Sequence, residues 1–232
     1  MVDVFENAVS IFIHNKDVRS IKTTDGTVVW EKQLSGEVIA TITGDECRIG
    51  SGILYTGDSV HIDWGDGTSD IHHSTGVAEH YYEDGKESHT VTLSGGITGL
   101  GSCFYNLNGL TSVSIPNTIT SFGENCFHGC TGLTSIVIPN SITSLGEDCF
   151  SLCSNLSTVS IPNTISTIPI NCFSSCWGLV DYQLYWVGNS VPSYNGQNMP
   201  NNTNTIFTIP NGSTEDYVAK SYPSDKLVER SE

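Results

Sequence analysis

Basic residues are scarce in this chain. Nine Lys and Arg stand against 25 Asp and Glu in 232 residues, a formal net charge of −16. Residues 97–188 hold no Lys or Arg at all, and residues 36–96 hold only Arg48 and Lys86. Gripping a phosphate backbone takes clustered cations, so nucleic acid is excluded as a partner. An anionic membrane surface is disfavoured for the same reason. No run approaches the roughly 20 apolar residues of a membrane span. The opening, MVDVFENAVSIFIHNKDV, has neither a basic start nor a long apolar block, so it does not read as a secretory signal. Starting at Met1, it is expected to be made and used without export. Catalytic signatures are also lacking: no G-x-S-x-G, no H-E-x-x-H and no phosphate loop occur. The expectation is a protein that is not an enzyme.

What is present is repetition. ITSFGENCFHGCTGLTSIVIPNS (119–141) returns as ITSLGEDCFSLCSNLSTVSIPNT (142–164). A shorter copy starts at Ile97 and a decaying one at Ile165. A fixed period of this size marks a solenoid, in which each coil buries its apolar face on its neighbours. Leu133, Ile136 and Ile138 alternate as a strand with one face inward, and Pro139 ends it because proline has no N–H for a ladder. Cys126, Phe127 and Cys130 lie on the opposite side of the coil.

Seven of the eight cysteines belong to this pattern. Cys103, Cys126, Cys149 and Cys172 share one repeat position. Cys130, Cys153 and Cys176 share another, which Leu107 fills in the first copy. A slot that accepts Leu is an apolar core slot, and free Cys behaves as a small hydrophobe. The expectation is reduced, buried thiols. A straight ladder of sulfurs does not converge on the tetrahedron that zinc requires. Cys47 lies outside the ladder, with no motif to lower its pKa.

The positions Ile119, Phe122, Gly123, Cys126, Phe127, Cys130, Leu133, Ile136, Ile138 and Pro139 recur as Ile142, Leu145, Gly146, Cys149, Phe150, Cys153, Leu156, Val159, Ile161 and Pro162. This pattern resembles the BspA-like leucine-rich repeats of microbial surface proteins. The resemblance covers 97–188, about four coils, and implies a binding role. Residues 189–232, with the line TIFTIPNGSTEDYVAKSYP, are expected to form a C-terminal cap.

Residues 36–96 read as short strands (EVIATIT, SVHIDW, VAEHYY, HTVTLSG) separated by Gly and Asp turns, the signature of a β-sandwich. IDWGDGT, then His80-x-Tyr82, then HTVTLSG resemble the polycystic-kidney-disease (PKD) type of Ig-like domain. This sandwich is expected to cap the first coil, because Gly95 and Gly96 leave no room for a linker. Residues 1–35 read as a small β element: IFIHNKDV and TVVWEK alternate, with the turn signal Thr24-Asp25-Gly26 between. The stretch resembles attachment segments of tail and baseplate-associated proteins of tailed viruses. The expected fold is thus mainly β: an attachment element, a PKD-like sandwich, a short leucine-rich-repeat solenoid and a cap.

The candidate sites are few. Asp63 and Asp66 flank Gly65, and with Asp58 or Asp70 they offer oxygen ligands to Ca²⁺. The favoured reading is that their carboxylates hold the turn N–H groups, so no cofactor or metal is expected. Trp177, Tyr182, Tyr185 and Trp186 form the densest aromatic stretch, read as a seal on the solenoid end or as an exposed interaction patch. Ser135, Val137, Thr158 and Ser160 are expected to point outward as a nearly uncharged ladder.

Taken together, these features point to a non-enzymatic virion surface or tail-associated protein. Residues 1–35 would dock to other virion or surface proteins, and the repeats would meet a host glycan or protein. A cell-surface adhesin is the alternative location, and an accessory glycan-binding portion of a carbohydrate-active protein is a further one. Homo-oligomerisation stays open.

Overall fold

The structure is a computed structural model that describes residues 8–14, 17–23, 28–31, 36–55, 59–73, 76–184, 191 and 205–230. The chain divides into two compact units, 1–35 and 36–232. In the first, β1 (Ala8–His14), β2 (Asp17–Thr23) and β3 (Val28–Glu31) form an antiparallel sheet in that order. Ile21 stands opposite Ile11 on one side and Trp30 on the other. The turn signal Thr24-Asp25-Gly26 lies outside the described residues.

The second unit begins with seven strands. They are β4 (Val38–Thr43), β5 (Glu46–Ile49), β6 (Leu54–Tyr55), β7 (Val60–Asp63), β8 (Ser69–His72), β9 (Ala78–Tyr81) and β10 (Ser88–Ser94). The repeats follow with β11 (Ile97–Leu100), β12 (Leu110–Ser114), β13 (Ser121–Phe122), β14 (Ser135–Val137), β15 (Ser144–Leu145), β16 (Thr158–Ile161) and β17 (Asp181–Leu184). Finally come β18 (Ile206–Ile209), the short helix α1 (Thr214–Ala219) and β19 (Leu227–Glu229).

Alternation fixes the inward face of the early strands. Val38, Ala40 and Ile42 are buried on β4, Val60 and Ile62 on β7, and Val91 and Leu93 on β10. Cys47 and Ile49 of β5, which pairs with β9, join the same core.

These strands are sewn directly to the first coil. β12, a repeat strand, closes the five-stranded sheet β12-β4-β10-β7-β8 by pairing antiparallel with β4. β6 in turn opens the sheet β15-β13-β11-β6, antiparallel to β11. The seam is reinforced by Thr43 N–H donating to Gly109 O (2.8 Å), Gly50 N–H to Cys103 O (2.6 Å) and Gly101 N–H to Gly52 O (2.9 Å). The apolar end of the solenoid is therefore covered by backbone pairing as well as by side chains, as an open repeat array requires.

Beyond the seam the coils stack in parallel. Register joins Ser135 to Thr158, Thr158 to Asp181 and Asp181 to Ile206, giving the sheet β14-β16-β17-β18-β19. The steps from Ser135 to Thr158 and on to Asp181 keep the 23-residue period. β18 and β19 join the same sheet after longer and shorter intervals, so the ladder runs on through residues whose sequence no longer repeats. At the strand ends, Pro116, Pro139 and Pro162 each accept an N–H three residues on, from Ile119, Ile142 and Ile165. The residue that stops the ladder also closes the following turn.

Candidate functional site

Each coil has an interior and an outward face, and the reactive groups are inside. All eight cysteines are free and buried. Burial drives the thiol pKa upward throughout, to about 12 at Cys47 and Cys153. A thiol held neutral in this way is neither a nucleophile nor a ready metal ligand. Cys130, Cys153 and Cys176 donate to the carbonyls of Phe104, Phe127 and Phe150 at 3.1, 3.1 and 3.0 Å. Beside them Phe104, Phe127, Phe150 and Phe173 form a column with ring centroids 5.2 Å apart at each step. Among the described residues, no three His, Cys, Asp or Glu side chains gather as a metal site.

The turn after β7 is locked by its own side chains. Asp63 Oδ1 accepts from Gly65 N–H at 2.9 Å, and Asp66 Oδ1 accepts from the Thr68 N–H (2.9 Å) and hydroxyl (2.6 Å). Asp66 Oδ2 meets His80 Nε2 at 2.8 Å. The Thr68 hydroxyl first, then its N–H and His80, hold the Asp66 carboxyl down to about 2. Asp70 accepts from Trp64 Nε1 at 2.9 Å, and the Tyr82 hydroxyl donates to Trp64 O at 3.0 Å. The Trp64 and His80 rings stack at 5.0 Å, and His80 meets Tyr82 edge-on at 4.7 Å. The aromatic-Gly-Asp-Gly and His-x-Tyr signals thus act on each other: one supplies the turn, the other clamps it. Asp58 lies outside the described residues.

The aromatic stretch divides. Trp177 is 75% exposed. Tyr182 is fully buried, edge-on to Phe173 (5.7 Å) and stacked on Phe207 (5.1 Å). This corrects its expected place on a binding surface. Its register with Val159 and Ile136 puts it in the inward slot of β17, where the side chain continues the aromatic column into β18. Tyr185 and Trp186 lie outside the described residues.

On the outward ladder, Ser135 and Val137 are exposed, Val137 at 73%, and Thr158 and Ser160 are half-buried. Hydroxyls also brace the stack from coil to coil. Thr120 and Thr143 donate to Thr98 O and Thr120 O at 3.2 and 3.3 Å, and Ser157 donates to Thr134 O at 3.0 Å. What the repeats offer outside is a rigid face with hydroxyls and no cation among residues 97–184.

Sequence reasoning missed the seam as a place of interest. Tyr105, 44% exposed, stacks on His128 at 5.0 Å beside β5. The signal was a faint one: Tyr105 and His128 share a repeat position 23 residues apart.

Residues 86–215 match the family model described as "BspA type Leucine rich repeat region", in six copies. No curated protein matches the chain. Among solved structures, the pneumococcal vaccine antigen PcpA is similar with a TM-score of 0.52 at 16% identity, over 59% of this chain and 34% of that one. A Treponema pallidum leucine-rich repeat protein (TpLRR) gives a TM-score of 0.36 at 22% identity, over 44% and 55% of the two chains. A leucine-rich repeat protein from Bacteroides ovatus gives 0.31 at 13%, over 79% and 47%. The chain spans only a third to about half the length of these structures.

Proposed function

The chain belongs to the BspA-type leucine-rich repeat family, and from that premise we propose that it is a non-catalytic recognition protein displayed on a surface. One observation carries this reading. The repeats hide all seven of their thiols in the core while holding a hydroxyl-rich outer face in place by stacked backbone pairing. Reactive groups inside and a fixed polar surface outside suit binding and do not suit chemistry. In this reading, residues 1–35 dock the protein to a virion surface or tail assembly. The PKD-like segment serves as spacer and cap, and the repeats face a host glycan or protein. The separation of residues 1–35 as a compact unit supports a docking role for them.

The test removes residues 1–35 and follows the remainder in the assembling cell. Residues 36–232 are expected to stay folded, with an unchanged near-UV spectrum, and to be lost from purified particles. Retention in particles overturns the docking role. Recovery of the full chain on the cell envelope, with none in particles, replaces the virion reading by the cell-surface one.

A further inference from the structure

In every later coil the turn after the buried cysteine is backed by the coil before it. The carbonyls of His128, Ser151 and Ser174 accept N–H groups from Asn106, Gly129 and Leu152 at 2.7, 2.8 and 2.8 Å. Tyr105 holds the equivalent place in the first coil, 23 residues before His128. No coil precedes it, and its carbonyl receives no hydrogen bond among the described residues. Its ring is likewise the first member of a column, with His128 on one face at 5.0 Å.

The strands of residues 36–96 do not fill this vacancy. They are stitched to the coil on either side, at Thr43 with Gly109 and at Gly50 with Cys103. Between those stitches runs β5, which pairs with β9 and not with the coil. Two grooves result, about 330 and 340 Å³, and both are lined by Arg48 and Tyr105. Ser51, Ser102 and Asn125 also line the first, and Asp45, Asn106 and Asn108 the second.

We propose that this seam is a binding site for a neutral carbohydrate, a pyranose ring stacked on Tyr105 with its hydroxyls donating to the Tyr105 carbonyl and exchanging hydrogen bonds with the flanking amides and hydroxyls. The chemistry follows from the lining. An exposed ring face takes the apolar C–H face of a sugar. The lining is amide and hydroxyl, with Ser102 and Asn125 already donating to Glu124 (3.0 and 3.1 Å) and Asn108 accepting from Thr131 (3.4 Å), so each keeps further hydrogen-bonding capacity for a ligand with many hydroxyls. Two grooves that share one ring suit consecutive sugar units. Arg48 Nε already meets Glu79 at 3.2 Å, and Asp45 and Glu46 line the second groove, so an anionic ligand is repelled. Backbone bonds fix the coil and the strands to each other on either side of the grooves, at Thr43 with Gly109 and at Gly50 with Cys103, so the site is formed before the ligand arrives. It lies apart from the outward repeat ladder and stands whether or not residues 1–35 dock to a particle.

The experiment uses the full chain and saturation-transfer NMR with lactose, cellobiose, maltose and N,N′-diacetylchitobiose, with 3′-sialyllactose as the anionic counterpart. At least one neutral sugar is expected to bind through the C–H face of a ring, and the sialylated sugar more weakly. Tyr105→Ala is expected to weaken binding about tenfold and Tyr105→Phe to preserve it. Should Tyr105→Ala lower the melting temperature, Ser51→Trp fills the groove from an exposed loop position and is expected to abolish binding with the melt unchanged. Binding of none of these neutral sugars overturns the proposal, as does binding indifferent to both Tyr105→Ala and Ser51→Trp, or preference for the anionic sugar.

Discussion

The Cys153 thiol donates to the carbonyl of Phe127, in the preceding coil, at 3.1 Å. The same bond recurs one coil either way, from Cys130 to Phe104 and from Cys176 to Phe150. It explains the exception at this slot. Leu107 belongs to the first coil, which has no earlier phenylalanine carbonyl to receive a donor, so an apolar side chain fills the space there. Cysteine recurs where a small apolar group with a weak donor fits a carbonyl that another coil presents.

Replacing Cys153 by Ala should therefore cost a modest amount. The Phe127 carbonyl keeps a second donor, the Cys130 N–H at 3.1 Å, so no buried acceptor is orphaned. What is lost is a weak hydrogen bond and the volume of one sulfur, about 1–2 kcal/mol together. Urea titration of wild type and variant, with unchanged m-value, measures it. A loss above about 4 kcal/mol would mean that the thiol does more than fill and donate.

The same burial sets an alkaline limit. In the folded chain the Cys47 and Cys153 pKa values are pushed up to about 12, from an ordinary value of 9.0. Below pH 9 both folded and unfolded thiols are protonated and stability is at its full value. Between 9 and about 12 the unfolded chain releases protons that the folded chain keeps, so stability falls as pH rises. The melting temperature in reducing buffer is expected to decline steadily above pH 9. Cys149→Val, which removes a thiol that burial also pushes upward, is expected to shallow that decline, and an unaltered slope would contradict the linkage.

A close backbone approach makes a sharper test. A methyl group on Gly146 would lie 2.2 Å from Glu124 N and 2.3 Å from Gly123 C, in the coil before it. The obstacle is backbone on both counts, so the neighbouring coil must shift. Gly146→Ala is expected to destabilise by about 3 kcal/mol, at the upper end of overpacking costs. Gly67→Ala serves as the comparison: nothing lies within 4 Å, and only its φ of +98° opposes the change. Its cost is expected near 1–2 kcal/mol. Thermal unfolding of the two variants should rank them in that order.

Much of this architecture was legible because period and chemistry coincided. The two cysteine slots and the proline after β12, β14 and β16 recur every 23 residues, and each maps to one place in the coil. The strands of residues 36–96 showed in alternation, as at Val60 and Ile62. Other features left no periodic trace. The pairing of β12 with β4 is antiparallel and joins residues about 70 apart, so nothing local reports it. Ile206 follows its partner Asp181 by 25 residues, and Leu227 follows its partner Phe207 by 20, so the last rungs broke the period that revealed the others. Tyr182 looked like one of a run of aromatics; only its register told that it points inward. The seam groove arises from what the first coil lacks, a preceding neighbour, which sequence repetition cannot express.

One position in the array departs from what its backbone prefers, and a single substitution should relieve it. Asn106, Gly129, Leu152 and Ser175 occupy one repeat position and all have left-handed backbone, with φ of 56°, 70°, 62° and 58°. Glycine adopts this region freely and Asn tolerates it, whereas a side chain branched beyond Cβ gains nothing from it. Leu152 is 45% exposed, so only about half the burial of a core leucine offsets the strain. Its N–H donates to Ser174 O at 2.8 Å, and glycine keeps that bond. Leu152→Gly is expected to stabilise the fold slightly, by about 0.5 kcal/mol, against the usual direction of a change to glycine. The sign decides the matter: a loss of stability in urea titration would show that the exposed part of Leu152 packs usefully on its neighbours and that the strain is small.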